Sequence, residues 1–91
     1  MNVFLYNLSN MRHPMKIKIG YVGYLDIDNV TNNSWLEISE PISISQLLNN
    51  LDFPSNKQKF IVPTINSETV KLSYKLQDKD ELFLYLPVGG G

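Results

Sequence analysis

Apolar and polar residues alternate from Met15 to Tyr24, with Ile17, Ile19 and Tyr21 on one face and Lys16, Lys18 and Gly20 on the other. A period of two with one charged face predicts a half-buried strand. Trp35 to Ser39 repeats the pattern, Leu36 and Ile38 against Trp35 and Glu37, and predicts a second strand in a hairpin with the first. The connection, Asp26 to Ser34, carries Asp28-Asn29 and Thr31-Asn32-Asn33-Ser34, short polar residues that favour turns. The period then changes. Ile44, Leu47, Leu48 and Leu51 form one stripe at helical spacing. Ser43 and Gln46 three residues later make a capping box, and Ile42 and Leu47 a hydrophobic staple. Burying each residue of the stripe is worth about 1.5–3 kcal/mol, so this face is expected to lie on the sheet as core, with Pro54 ending the helix.

Phe60 to Ile65 predicts a third strand, in which Pro63 cannot donate to a ladder and so belongs at an edge or a bulge. Asn66-Ser67-Glu68 turns the chain into a short return strand, Thr69 to Leu72. The stretch Gln77-Asp78-Lys79-Asp80-Glu81 reads as a solvated acidic turn rather than a metal or acid–base cluster, since no histidine lies near it. Leu82 to Leu86 is apolar throughout, which predicts a central strand. With Leu82, Leu84 and Leu86 facing the helix, Phe83 and Tyr85 face outward, either as a docking patch for a partner or covered by the N-terminal segment.

That last strand runs into Pro87-Val88-Gly89-Gly90-Gly91. Glycine loses the most backbone entropy on ordering and has no side chain to pack. Residues 87–91 are therefore expected to form a flexible, thin tail carrying the carboxylate of Gly91, slim enough for a tunnel that a Cβ atom would block. Residues 1–14 read as an N-terminal extension, an extra edge strand or disordered, with Met15 a possible start. The domain proper spans residues 15–86.

Composition narrows the chemistry. At 91 residues one domain is expected. Eight basic and nine acidic residues, a formal net charge of -1, give no electrostatic case for nucleic acid or an anionic membrane. There is no cysteine and one histidine, His13, without a partner nearby. A thiolate metal site and a cysteine nucleophile are thereby excluded, and no nucleophile–base pair is visible. Asp26 and Asp28 lack the glycine and distal glutamate of a calcium loop, and Gly20 and Gly23 precede no helix as a phosphate loop requires; no metal site is expected. The longest apolar run is too short to span a bilayer, and the first residues lack the features of a secretion signal, so a cytoplasmic protein is the expectation.

Strand, strand, helix, strand, short strand, strand is the order of an α+β, β-grasp (ubiquitin-like) domain, with a mixed sheet of four to five strands on one main helix. From Asp80 to Gly91 the sequence resembles the ubiquitin-like sulfur carriers, the molybdopterin synthase small subunit and the thiamine-type carrier, whose last strand ends in an acidic turn, apolar residues, Pro, Val, Ser, Gly, Gly. Here Gly89 replaces the serine, and Gly90-Gly91 match the terminal pair. The helix Ile44–Leu51 and the turn Ile65-Asn66-Ser67-Glu68 also look like the family's. Ser67 and Lys79 stand where the family places turn glycines, which questions the turn geometry there.

The resemblance implies a carrier and substrate rather than an enzyme, such as the small non-catalytic subunit of a molybdopterin synthase. It implies that a ubiquitin-activating-type adenylyltransferase, using ATP and magnesium, joins the Gly91 carboxylate to AMP. A sulfur donor then displaces AMP and leaves a thiocarboxylate, delivered inside the large subunit of molybdopterin synthase or another sulfur acceptor. No tightly bound cofactor is implied. Gly89 and Gly90 would give reach, Pro87 and Val88 would orient the exit, and Phe83 and Tyr85 would dock. A thiamine-type carrier, a ubiquitin-like protein modifier and a plain β-grasp binding module remain open beside the molybdopterin reading.

Overall fold

The structure is a computed structural model that describes residues 14–25 and 27–87. Within them the chain forms β1 (Met15–Tyr21), β2 (Ser34–Ile38), α1 (Ile44–Asn50), α2 (Ser55–Gln58), β3 (Val62–Ile65), β4 (Glu68–Thr69) and β5 (Glu81–Tyr85). The sheet order is β2-β1-β5-β3-β4. β1 and β2 form the expected antiparallel hairpin, Met15 opposite Ile38 and Ile19 opposite Ser34. β5 runs parallel to β1, with Lys18 opposite Glu81 and Gly20 opposite Phe83, and β3 lies antiparallel on its other side. This is the β-grasp architecture, and β5 occupies the central place its apolar run predicted.

Ile17 and Ile19 of β1, Leu82 and Leu84 of β5, and Ile44, Leu47 and Leu48 of α1 are buried in one cluster, joined by Leu25, Ile27, Ile61, Ile65 and Leu76. The helix starts as the sequence requires. The Ser43 side chain accepts from the Gln46 amide at 3.1 Å, and the Ser43 amide donates to the Gln46 side chain at 2.9 Å, satisfying two helix-end donors at once.

It ends differently from expectation. The stop is Asp52, which adopts a left-handed φ of 62°. Its amide donates to the Asn49 carbonyl and the Phe53 amide to the Leu48 carbonyl, the paired bonds of a Schellman motif. Pro54 instead opens α2, an element the sequence pattern did not predict because its four residues are polar. The buried Gln58 fastens α2 to α1: it donates to the Asn49 side chain at 2.7 Å and accepts from the Ser45 hydroxyl at 2.9 Å.

Three strands are shorter than the alternation suggested, β1 among them, since it ends at Tyr21 instead of Tyr24. β3 begins at Val62, because the amides of Phe60 and Ile61 still bond the carbonyls of Lys57 and Gln58 in the turn leaving α2. Pro63 does not mark an edge in the simple sense, since β3 has β5 on one side and β4 on the other. The Asn66 amide donates across to Glu81, which by alternation turns the Pro63 nitrogen toward β4. The Val70 amide reaches the Pro63 carbonyl but gets no donor in return, and β4 stops at Thr69 instead of Leu72.

Candidate functional site

β5 presents two faces and one end. Leu82 and Leu84 point into the core, while Phe83 is half-buried and Tyr85 is 47% exposed on the outer face. Their rings lie 4.7 Å apart, tilted by 58°, within the range of favourable aromatic pairs. The structure thus puts the two sequence-predicted docking residues side by side on the sheet surface.

Gly20, directly opposite Phe83 on β1, is what lets the ring lie there. A Cβ at Gly20 would stand 2.9 Å from Phe83 Cδ1 and 2.7 Å from the Asn33 side-chain oxygen. Sequence reasoning placed Gly20 on the face of the strand away from the core and dismissed it as a phosphate-loop residue; its place across from an outward aromatic on a parallel neighbour was the further signal. Around the aromatics, Lys18, Asn33, Thr64, Asn66 and Glu81 line a shallow cavity of about 300 Å³. Trp35, paired with Lys18 on the next strand, is 53% exposed and extends this face toward β2.

The entry to β5 is tightly held. The Asp80 carboxylate is buried, 7% exposed, and accepts from the Tyr74 hydroxyl at 2.9 Å and the Gln77 amide at 2.8 Å. Its own carbonyl accepts from the Lys18 amide, and the Lys16 amide donates to Asp78 Oδ1 at 2.8 Å. The solvated acidic turn expected here is solvated only in part: Gln77, Asp78, Lys79 and Glu81 are exposed, but Asp80 is a structural anchor. Burial, then the hydrogen bond to Asp80, then the charge of Asp80 push the Tyr74 phenol above its ordinary range.

The turns that lack the expected glycines keep the glycine conformation. Asn66 and Ser67 have φ of 50° and 78°, and Lys79 has 73°. The doubtful turn geometry is therefore met by strained non-glycine residues.

At its other end β5 leads to Leu86 and Pro87. The amide of Val22, just past β1, donates to the Leu84 carbonyl, and two residues on, the Tyr24 hydroxyl donates to the Leu86 carbonyl at 2.7 Å. Val88, Gly89, Gly90 and Gly91, and the extension 1–13, lie outside the described residues. Among the described residues no three His, Cys, Asp or Glu side chains gather as a metal site, and no helix is long and apolar enough to cross a membrane.

This geometry can be set beside known proteins. The model of the ThiS family matches residues 26–91. No curated protein matches the chain. Among solved structures, the chain is similar to SAMP1 from Haloferax volcanii, with a TM-score of 0.60 and 18% identity over 84% of this chain and 99% of that one. It is also similar to a Pyrococcus furiosus protein assigned as molybdopterin converting factor, subunit 1, with a TM-score of 0.61 and 17% identity over 81% and 99%. The Caldiarchaeum subterraneum ubiquitin gives a TM-score of 0.50 and 17% identity over 87% and 100%.

Proposed function

The chain belongs to the ThiS family of ubiquitin-like sulfur carriers, and from that premise we propose that it carries sulfur as a thiocarboxylate on Gly91, most directly for molybdopterin formation. The observation that carries the reading is the match of the family model through the terminal Gly90-Gly91 pair. The protein assigned as molybdopterin converting factor, subunit 1, supplies the choice of pathway.

A terminal carboxylate titrates at about 3.3–3.7 and is anionic near neutral pH, so it is a poor electrophile. In the proposed sequence an adenylyltransferase transfers AMP from ATP, with magnesium, to a Gly91 carboxylate oxygen and releases pyrophosphate. A hydrosulfide-equivalent donor adds to the acyl carbon, and AMP leaves with the C–O electron pair. Gly91 then ends in a thiocarboxylate, which a large synthase subunit or another acceptor consumes. The chain supplies no base and no nucleophile beyond its own carboxylate. It acts as carrier and substrate, and catalysis belongs to its partners, in the cytoplasm.

The chain's own contribution is presentation. Gly89 and Gly90 lack a Cβ and can pass a narrow channel, while Pro87 and Val88 set the exit. Phe83 and Tyr85 give the adenylyltransferase an aromatic docking face of the kind that dominates interface energetics. Deleting Gly91, or Gly90→Trp, abolishes sulfur loading while thermal unfolding stays as in the parent protein; loading that survives the deletion refutes the proposal.

A second reading starts from the same adenylate and ends in an isopeptide bond to a lysine, as in a protein modifier. The fold accommodates both, since structures of both kinds share it. Lysine-linked conjugates that disappear on deletion of Gly91 would favour the modifier.

A further inference from the structure

Tyr24 is an exposed aromatic that neither the core nor the outer-face patch explains. It follows Gly23 in the turn Val22–Leu25, closed by the Leu25 amide donating to the Val22 carbonyl at 2.9 Å. The turn is fixed on both sides: Val22 is bonded to Leu84, and the Leu25 side chain is buried in the core. The Tyr24 ring, 58% exposed, nevertheless spans 62 positions of sequence to place its hydroxyl on the Leu86 carbonyl.

The position of that bond matters. In the parallel ladder between β1 and β5, the Val22 amide serves the Leu84 carbonyl. The next carbonyl on the same side is that of Leu86, and there the phenol takes the place of a main-chain donor. Leu86 precedes Pro87, whose ring confines the residue before it to extended conformations and fixes its own φ near −65°. Two consecutive residues there are thus restrained, Leu86 by its proline neighbour and by a tyrosine from a distant turn, and Pro87 by its own ring.

We propose that Tyr24 is a positioning residue that pins the Leu86 carbonyl and so sets the direction in which the chain leaves the domain at Pro87. The proposal rests on the reading of Gly91 as the reactive terminus. A partner that must thread the tail gains when its root is already aimed, because less conformational freedom is lost on binding. Without the clamp only a fraction of molecules presents the tail productively, and the apparent affinity drops by that fraction. A single exposed hydrogen bond of this type corresponds to about a 2–5-fold change.

The test compares the full chain with Tyr24→Phe and Tyr24→Ala. In Y24F the carbonyl 13C resonance of Leu86 shifts, and its amide order parameter drops from about 0.85 toward about 0.6. With the adenylyltransferase, ATP and a sulfur source, KM for the carrier rises about 2–5-fold with kcat unchanged, and Y24A behaves like Y24F because the hydroxyl, not the ring, does the pinning. An unshifted Leu86 carbonyl in Y24F, or a KM equal to that of the parent, overturns the proposal. If the parent protein itself acquires no sulfur, the carrier reading fails alone, and the Leu86 resonance still decides the clamp.

Discussion

Replacing Asp80 by alanine removes the acceptor that organises the entry to β5. The carboxylate is 7% exposed and receives two hydrogen bonds, from the Tyr74 hydroxyl at 2.9 Å and the Gln77 amide at 2.8 Å. Hydrogen bonds to a charged group contribute about 1.5–3 kcal/mol each, and a buried donor left without a partner is penalised further. Water reaches the exposed Gln77 more easily than Tyr74, which lowers the sum, so D80A is expected to cost about 2–4 kcal/mol. A domain of this size has a total stability on the order of 5–10 kcal/mol, so the urea midpoint falls by about 2–4 M for a slope near 1 kcal/mol per molar. D80N keeps an acceptor and costs less, about 1 kcal/mol, as does Y74F. In a double-mutant cycle Y74F and D80A show a coupling of about 1 kcal/mol. Ultraviolet titration of the phenol gives an independent check. D80N lowers the Tyr74 midpoint toward the ordinary value but leaves the part due to burial. A raised folded pKa contributes stability that is complete below the unfolded value of about 10 and is lost as pH climbs through the folded value, and Y74F removes that alkaline loss. A D80A protein within about 0.5 kcal/mol of the parent, the range of an ordinary surface change, refutes the anchoring role.

Three further outcomes follow from the same geometry. Ser67→Gly and Lys79→Gly relieve left-handed backbone at φ 78° and 73° and each raise stability by about 0.5–1 kcal/mol in urea unfolding, net of glycine's greater unfolded entropy. Gly20→Val forces a Cβ to within 2.9 Å of the Phe83 ring; unfolding is easier by about 1–3 kcal/mol, and the aromatic resonances of Phe83 move. Tyr85→Ala, at a site already 47% exposed, leaves stability within about 0.5 kcal/mol yet weakens adenylyltransferase binding by about tenfold or more in calorimetry.

The elements that were legible in the sequence are those governed by period and by paired local signals. The alternation of β1, the helical stripe of α1 and its capping box, and the unbroken apolar run of β5 each required one burial pattern, and the sheet supplies it. What was not legible depended on particular side-chain partners and backbone conformations that periodicity does not encode. Asp80 is indistinguishable from its exposed neighbours until Tyr74 folds over it. α2 has no apolar stripe, and its register is set by Gln58 reaching Asn49 and Ser45. Asp52, not Pro54, stops α1, because a left-handed residue with two returning amides ends a helix before proline is reached. Of the site, the outward pairing of Phe83 with Tyr85 followed from strand alternation. Tyr24 did not, since its hydrogen bond joins the turn after β1 to the last strand's exit.

The measurement closest to the central claim is the intact mass of the C-terminal peptide after the protein is incubated with an adenylyltransferase, ATP, magnesium and a sulfide source. Exchange of oxygen for sulfur on an activated acyl group adds about 16 Da, and the account places that gain on the fragment ending in Gly91, with none on the chain lacking Gly91. An unchanged mass in the loaded protein, or an equal gain after Gly91 is deleted, contradicts it.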